Sequence, residues 1–237
     1  MQAAPLDNPR YYLANFDTLI DWVCQCHADL LTEAERATGD AIAPLPDPSR
    51  ALLVRLLMRK GDHFRVSRLC YDEIGDIESA AQPLLELSWL SAEEPIDVSS
   101  LARLLLKTEL ASLDLGVEQA GKLGKQTLID ALLAGNHAPR PWHAWPGIPT
   151  DNVLSLQISD LCDRLRLLFF GNLAQDWSEF VLTELGLQQY ESVPFPAHSR
   201  SFHQPGDVDQ YLYLRRCREE LEAGGDAMTI VDQLSHF

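Results

Sequence analysis

The sequence lacks long apolar runs, a secretion signal and any regular pattern of cysteines. No apolar stretch approaches the roughly 18 residues that a membrane-spanning helix requires. The N-terminal residues also lack the basic start and apolar core of a signal peptide. The five cysteines, an odd and scattered set among 237 residues, argue against a secreted disulfide framework. These absences predict a cytoplasmic protein with reduced thiols and no membrane contact.

Catalytic motifs are missing as well: there is no P-loop, G-x-S-x-G elbow, H-E-x-x-H or G-x-G-x-x-G. Cys24, Cys26 and His27 are residue types that suit zinc, but positions 24 and 26 point about 200° apart on a helix. No second Cys/His pair follows at finger spacing, and Cys24 continues an apolar stripe. We therefore favour core packing and expect no catalytic and no metal-binding residues. A metal-binding regulator built on Cys24 and Cys26 stays as a remote alternative.

Positive charge is scarce overall, which makes one basic stretch stand out. The formal net charge is -16 and the pI is near 4.7, which does not favour nucleic-acid binding as a bulk property. Between Arg50 and Tyr71, however, Asp62 is the one acidic residue opposite six basic residues: Arg50, Arg55, Arg59, Lys60, Arg65 and Arg68. Such a patch on an acidic body can orient a duplex, although charges beside a leucine stripe are more often a solvated face.

Hydrophobic periodicity predicts a mainly α fold with little β. Apolar positions at helical spacing indicate helices over residues 11–26 and about 30–38. A third helix carries the leucines of residues 52–57 and ends near Gly61, which suits a helix exit.

The segment after Gly61 has the outline of a winged-helix unit. Residues 64–69 fit a short strand or extended segment, in which Arg65 and Arg68 would be exposed. A short helix, a break and a second helix follow, and Pro83 is tolerated only near the start of that second helix. Helix, extended segment and helix pair is the arrangement of winged-helix and helix-turn-helix units.

Residues 100–135 predict two helices joined by a glycine-bearing turn. The first runs to about Leu113 with Ser99 or Ser100 as its cap, and the second covers about residues 125–133. A linker rich in proline and tryptophan follows. Its Trp142, His143 and Trp145 could stack on unpaired bases, but tucking against a neighbouring helix is the favoured interpretation.

The pattern becomes helical again from Val153. It includes a stretch around Phe180, and it closes with a helix, a glycine turn and a helix start, like the first hairpin of a TPR-type array.

Several of these stretches resemble one protein family. VRLLMRK (54–60), FRVSRLCYDEIGDI (64–77) and NPRYYLANFDTLIDWV (8–23) resemble the N-terminal region of the Fanconi-associated nuclease and its bacterial homologues. These are structure-specific DNA repair nucleases with a catalytic domain of the VRR-NUC class. LKTEL (106–110) and GKQTLIDALL (124–133) resemble a SAP module, and RLLFFGN with the residues after it resembles the region that follows that module.

The resemblance implies four segments: a helical, winged-helix-like DNA-binding domain (1–92), a SAP-like helix pair (93–136), a Pro/Trp linker (137–152) and a helical region ending in the start of a TPR-like array (153–237). It also implies a DNA-binding and substrate-orienting role that reads shape through phosphates. The expected contacts are Arg55, Arg59, Lys60, Arg65, Arg68, Lys107, Lys122, Lys125 and Gln126.

Catalysis is not expected from these residues. A restriction-like nuclease needs D…(D/E)-x-K, but the residues two positions before the four lysines are Met58, Leu105, Ala120 and Leu123. The resemblance therefore assigns the 5'-flap endonuclease and 5'-3' exonuclease activity of interstrand crosslink repair to a VRR-NUC domain absent from this chain, with Mg²⁺ or Mn²⁺ expected there.

The implied partners are branched or 5'-flap duplex DNA and the C-terminal nuclease domain of the same protein, with a homodimer left open. The implied location is the cytoplasm, in association with the bacterial nucleoid. The alternative function is an acidic helical scaffold that binds other proteins.

Overall fold

The computed structural model describes residues 10–177 and 197–235. Its helices are α1 (Tyr11–Cys26), α2 (Glu33–Ile42), α3 (Asp47–Leu57), α4 (Ile77–Glu86), α5 (Val98–Leu104), α6 (Lys107–Ala111), α7 (Lys125–Ala134), α8 (Ser159–Phe170), α9 (Pro205–Glu222) and α10 (Ala227–Ser235). Its strands are β1 (His63–Arg65), β2 (Leu90–Ser91) and β3 (Val153–Leu156). The predicted fold class, mainly α with little β, is confirmed.

The chain divides into two compact units. One consists of Met1–Pro44 and Asp160–Phe237, and the other of Leu45–Ser159. The limits of the four segments predicted from the sequence stay a prediction.

In the first unit, α1 has the predicted limits because Leu13, Phe16 and Leu19 recur at helical spacing and are buried. The second helix begins later than predicted. Residues 28–30 form a single 3-10 turn, and Thr32 then caps α2 through a reciprocal pair of hydrogen bonds with Glu35.

The same unit contains the C-terminal helices. The predicted hairpin is confirmed, since α9 and α10 are separated by a turn at Gly224, whose φ is +90°. The helix predicted around Phe180 lies outside the described residues. None of the described helices is long and apolar enough to cross a membrane.

In the second unit, α3 packs against α4 through the buried leucines of the predicted stripe, including Leu52, Leu53 and Leu84. The expected placement of Pro83 near a helix start is wrong, because Pro83 lies inside α4. This helix begins at Ile77, where the Asp76 carboxylate accepts a hydrogen bond from the Ser79 amide (3.1 Å).

The three strands form an antiparallel sheet in the order β1-β3-β2. Phe64 pairs with Leu154, and Leu90 pairs with Leu156. The prediction of helix from Val153 onward is wrong at this point. All four residues of β3 are buried, so this central strand shows none of the apolar and polar alternation that distinguishes a strand from a helix in sequence.

The predicted helix pair forms between β2 and β3, around a core that includes Leu101, Leu128, Trp142 and Trp145. Burial of both tryptophans confirms the tucked interpretation of the linker. The first predicted helix is divided into α5 and α6, because the Leu106 amide turns to donate a hydrogen bond to the Glu109 carboxylate (2.7 Å).

The cap of the first helix of the pair differs from the prediction, and the limits of the second helix agree with it. The cap of α5 is Asp97 and not Ser99 or Ser100, since the Asp97 carboxylate accepts the Ser100 amide hydrogen bond (2.6 Å). Helix α7 forms close to its predicted limits.

Candidate nucleic-acid interface

Five lysine and arginine side chains line one pocket of the Leu45–Ser159 unit. Helix α3 ends at Leu57, and Gly61 then adopts a φ of +81° that turns the chain into β1. This turn carries Arg59 and Lys60, which line a pocket of about 170 Å³ together with Arg68 and Arg103. Arg103 belongs to α5, so the lining of the pocket comes both from the turn after α3 and from the helix pair.

Arg59, Lys60 and Arg103 form no ion pair with a carboxylate among the described residues, although the charge of Arg103 also acts on Asp97. Arg59 Nη1 donates to Tyr71 Oη at 3.0 Å, which is a neutral acceptor. Arg103 Nη2 donates to Ser100 Oγ at 3.1 Å. No hydrogen bond or ion pair of Lys60 is formed within the described ranges.

Arg68 is exposed and only weakly paired. Its Nη2 lies 3.7 Å from Glu109 Oε2, and its side chain is 41% exposed. An ion pair of this length at an exposed position contributes little, so Arg68 keeps its charge available to a ligand. The expectation that Arg68 would be exposed is confirmed.

Arg55 differs from these residues because Glu73 neutralises it. Arg55 Nε donates to Glu73 Oε1 at 2.8 Å, and the guanidinium carbon lies 5.3 Å from the centre of the Tyr71 ring. Arg55 does not line the pocket.

Arg65 is buried, so the expectation that it would be exposed is wrong. Its Nε donates to Asp151 Oδ2 (2.8 Å), and its Nη1 donates to both oxygens of Glu109 (2.9 and 2.7 Å). The guanidinium also lies over the Trp142 ring, 5.6 Å from its centre. Although it reaches the pocket lining, two carboxylates compensate its charge.

These hydrogen bonds set the protonation of both carboxylates. Burial alone would raise the pKa of Glu109, but the hydrogen bonds from Arg65 and the Leu106 amide lower that pKa below its ordinary value. Burial likewise opposes ionisation of Asp151, whose pKa is nevertheless lowered by hydrogen bonds from Ser67 and Arg65. We will call Arg65, Glu109 and Asp151 the Arg65 network.

The predicted SAP-like contacts lie apart from the pocket lining. Lys107 and Lys125 donate to the carbonyl oxygens of Gly121 (3.3 Å) and Leu105 (3.1 Å). These are neutral acceptors, so both ammonium groups keep their charge.

The other two SAP-like contacts have side-chain partners. Lys122 donates to Gln119 Oε1 (3.2 Å), and Gln126 Nε2 donates to Asp130 (2.9 Å). DNA contact by the nine predicted residues stays a prediction.

Arg103 is the residue that sequence reasoning missed. Counting charges along the helix pair sets Arg103 against nearby acidic residues such as Glu109. In the structure Glu109 is bound to Arg65 instead. In the structure Arg103 is exposed on α5, directly after the buried Leu101 and Ala102.

Within the described ranges, no group of three or more His, Cys, Asp or Glu side chains could hold a metal ion.

Two family models match the chain. The model described as "FAN1, HTH domain" matches residues 10–91. The model described as "Fanconi anemia-associated nuclease SAP domain" matches residues 95–145.

Curated relatives match most of the chain. The Fanconi-associated nuclease 1 homolog of Pseudomonas aeruginosa is 45% identical over 219 residues, which are 92% of this chain and 39% of the relative. The homolog of Oryza sativa subsp. japonica is 30% identical over 84% of this chain and 22% of its own length. This chain thus spans about two fifths of the bacterial relative and about one fifth of the plant protein.

Two solved structures also match nearly the whole chain. A crystal structure of paFAN1 bound to DNA with a two-nucleotide 5' flap and a gap has a TM-score of 0.86 and 43% identity, over 97% of this chain and 42% of that one. A second structure, with a one-nucleotide 5' flap, has a TM-score of 0.83 and 45% identity, over 92% of this chain and 41% of that one.

Proposed function

Because this chain belongs to the Fanconi-associated nuclease family, carrying its helix-turn-helix and SAP domains, we propose that it binds and orients DNA for a structure-specific repair nuclease. The observation that carries this proposal is the pocket with Arg59, Lys60, Arg68 and Arg103, whose positive charge is largely uncompensated in a protein of net charge -16. Clustered cations attract phosphates, while the acidic remainder of the surface repels them.

The DNA is a branched duplex with a 5' flap. This part of the proposal is supported by the two structures of paFAN1 bound to 5'-flap DNA. The available donors are lysine and arginine side chains, which contact the phosphate backbone here, and such contacts position the duplex without reading its base sequence.

Hydrolysis belongs to a VRR-NUC domain outside these 237 residues. That domain uses Mg²⁺ or Mn²⁺ and gives the protein its 5'-flap endonuclease and 5'-3' exonuclease activity in interstrand crosslink repair. It is the intramolecular partner of this chain, and the protein acts in the cytoplasm at the bacterial nucleoid. A homodimer is a further partner to test by light scattering.

The test is binding of a fluorescent 5'-flap duplex across a salt series. Each phosphate contact contributes about 0.9 to the slope of log affinity against log salt. The variant with Arg59, Lys60 and Arg68 changed to alanine should therefore have a slope shallower by at least about one. The matched control changes three exposed arginines of the other unit, Arg36, Arg216 and Arg218, to alanine.

The two variants carry the same change of net charge. A shallower slope for the pocket variant alone supports the proposal. Equally shallow slopes in both variants would show that the effect comes from net charge and not from the pocket. Failure of the unmodified chain to bind at low salt would contradict the proposal.

A protein-binding scaffold is the second candidate. It is favoured by five exposed apolar side chains on α9 and α10, namely Leu214, Leu221, Met228, Val231 and Leu234. This function predicts association that tolerates salt and persists in the pocket variant.

A further inference from the structure

The pocket beside the α3 exit turn draws its cations from two separate stretches of the chain. Arg59, Lys60 and Arg68 come from the turn and the residues after β1, and Arg103 comes from α5. The two stretches meet closely, because Arg103 Nη1 lies 4.0 Å from the position that a Cβ on residue 61 would occupy. A Cβ at position 61 would make only ordinary contact with Arg103, so the glycine is required there for its φ of +81° and not for space.

The charges around this pocket favour an anion. Among its lining residues Asp62 is the acidic one, and the Asp62 carboxylate already accepts a hydrogen bond from Ser159 Oγ (2.6 Å). Arg65 is compensated by its own network, which leaves the charges of Arg59, Lys60, Arg68 and Arg103. Like charges that line one pocket repel one another. An anion bound between these side chains offsets that repulsion.

The size and donors of the pocket suit a phosphate group. A water molecule occupies about 30 Å³ of the liquid, so about 170 Å³ has room for one phosphate with a few waters. Guanidinium groups match phosphate oxygens with paired N–H donors. A nucleobase, by contrast, would need an aromatic platform, and the one aromatic lining residue other than His63 is Phe64, which is 5% exposed.

We infer that this pocket holds a single backbone phosphate of the bound nucleic acid, shared between Arg103 of α5, Arg59 and Lys60 of the turn, and Arg68 after β1. This inference rests on the proposed function and deepens it, because it makes Arg103 a ligand and the phosphate a bridge between the α3 turn and the helix pair. A shared ligand also makes the contributions of the two stretches interdependent.

Two sets of variants test the sharing. Arg59→Gln and Arg103→Gln should each weaken binding of a 5'-flap duplex roughly tenfold, as expected for a lost charge-assisted hydrogen bond. The double variant should lose clearly less than the product of the two single losses. Arg218→Gln is the control for a charge removed from an exposed position outside the pocket. Strictly multiplicative losses would contradict a shared phosphate, as would unchanged binding by Arg103→Gln.

A second arm separates this inference from DNA binding as a whole. Inorganic phosphate should raise the thermal unfolding temperature of the chain more than chloride at equal ionic strength, and Arg103→Gln should abolish that difference. Equal effects of phosphate and chloride, together with unchanged duplex binding by Arg103→Gln, would overturn the pocket and leave the proposed function standing.

If the unmodified chain binds no duplex, the proposed function fails. The thermal-unfolding experiment with inorganic phosphate then tests the pocket by itself. A stabilisation by phosphate that Arg103→Gln loses shows a site for free phosphate. No stabilisation by phosphate shows that the pocket is not such a site.

Discussion

Removal of Arg65 should destabilise the Leu45–Ser159 unit without removing a DNA contact. The guanidinium makes three charge-assisted hydrogen bonds to two carboxylates, and the side chains of Arg65 and Asp151 are 8% and 6% exposed. Arg65→Met would leave Asp151 without its cation and Glu109 with the more distant Arg68 alone (3.7 Å). Breaking a buried ion pair from one side costs about 3–5 kcal/mol.

The lower end of that range applies here because each carboxylate keeps other donors. Asp151 still accepts hydrogen bonds from the Ser67 and Asn152 amides (3.2 and 2.8 Å), and Glu109 still accepts one from the Leu106 amide (2.7 Å). We therefore expect Arg65→Met to lower the free energy of unfolding by about 3 kcal/mol.

Urea unfolding measures this loss, and hydrogen exchange of residues 98–134 shows whether it falls on the helix pair. Arg218→Met removes an arginine from an exposed ion pair with Glu222 and should change little. A loss below about 1 kcal/mol for Arg65→Met, within the usual range of a surface substitution, would refute the assigned importance of the Arg65 network. A salt slope of DNA binding reduced by about one in the folded variant would show instead that Arg65 contacts a phosphate.

Three further predictions concern other residues. Gly147 has a φ of +75° and a Cβ there would overlap the Ser112 carbonyl oxygen, whereas Gly75 has a φ of +80° with no atom near the corresponding position. Gly147→Ala should therefore lower the unfolding temperature clearly more than Gly75→Ala, and equal effects would show that the turn yields. Burial first, and then Arg200, lowers the pKa of His27 from 6.5 to about 4. Because the unfolded chain then binds more protons between these two pH values, stability should fall as the pH drops from 6.5 towards 4. A series of thermal unfolding temperatures against pH should show this fall for the unmodified chain and lose it for His27→Gln. An equal pH dependence in both proteins would exclude His27 as its source. Lys122→Ala and Lys125→Ala should each reduce the salt slope of duplex binding by about 0.9 if the SAP-like helix contacts phosphates, and unchanged slopes would remove them from the interface.

The helices and the extended segment at β1 could be predicted from local pattern, whereas β3 and the ion pairs could not. Helix α1 follows from apolar residues at a spacing that a single helix satisfies by itself. The identity of β3 depends on residues 66 to 90 positions away, since Leu156 pairs with Leu90 and Leu154 with Phe64. Nothing local in Val-Leu-Ser-Leu distinguishes a buried strand from the first turn of α8.

The same limit applied to the candidate site. Sequence reasoning found the basic stretch because its charges are neighbours along the chain. Whether each charge is available depends on distant carboxylates: Glu109 and Asp151 compensate Arg65, while Arg59 is left without such a partner. The sequence predicted a positively charged patch, but it did not predict which side chains keep their charge available to a ligand. The predicted contacts therefore included the compensated Arg65 and omitted Arg103.

The order of strands has a consequence for synthesis. The strand in the middle of the sheet is the last of the three to be made, because the entire helix pair lies between β2 and β3 in the chain. Until Leu156 has left the ribosome, β1 and β2 have no partner for their backbone amides and carbonyls, and an unpaired edge favours pairing with other chains. A fragment that stops at residue 91, the end of the helix-turn-helix match, would keep that exposure permanently. The helix-turn-helix region is thus a domain by sequence similarity whose folding must wait for residues on the far side of the SAP domain.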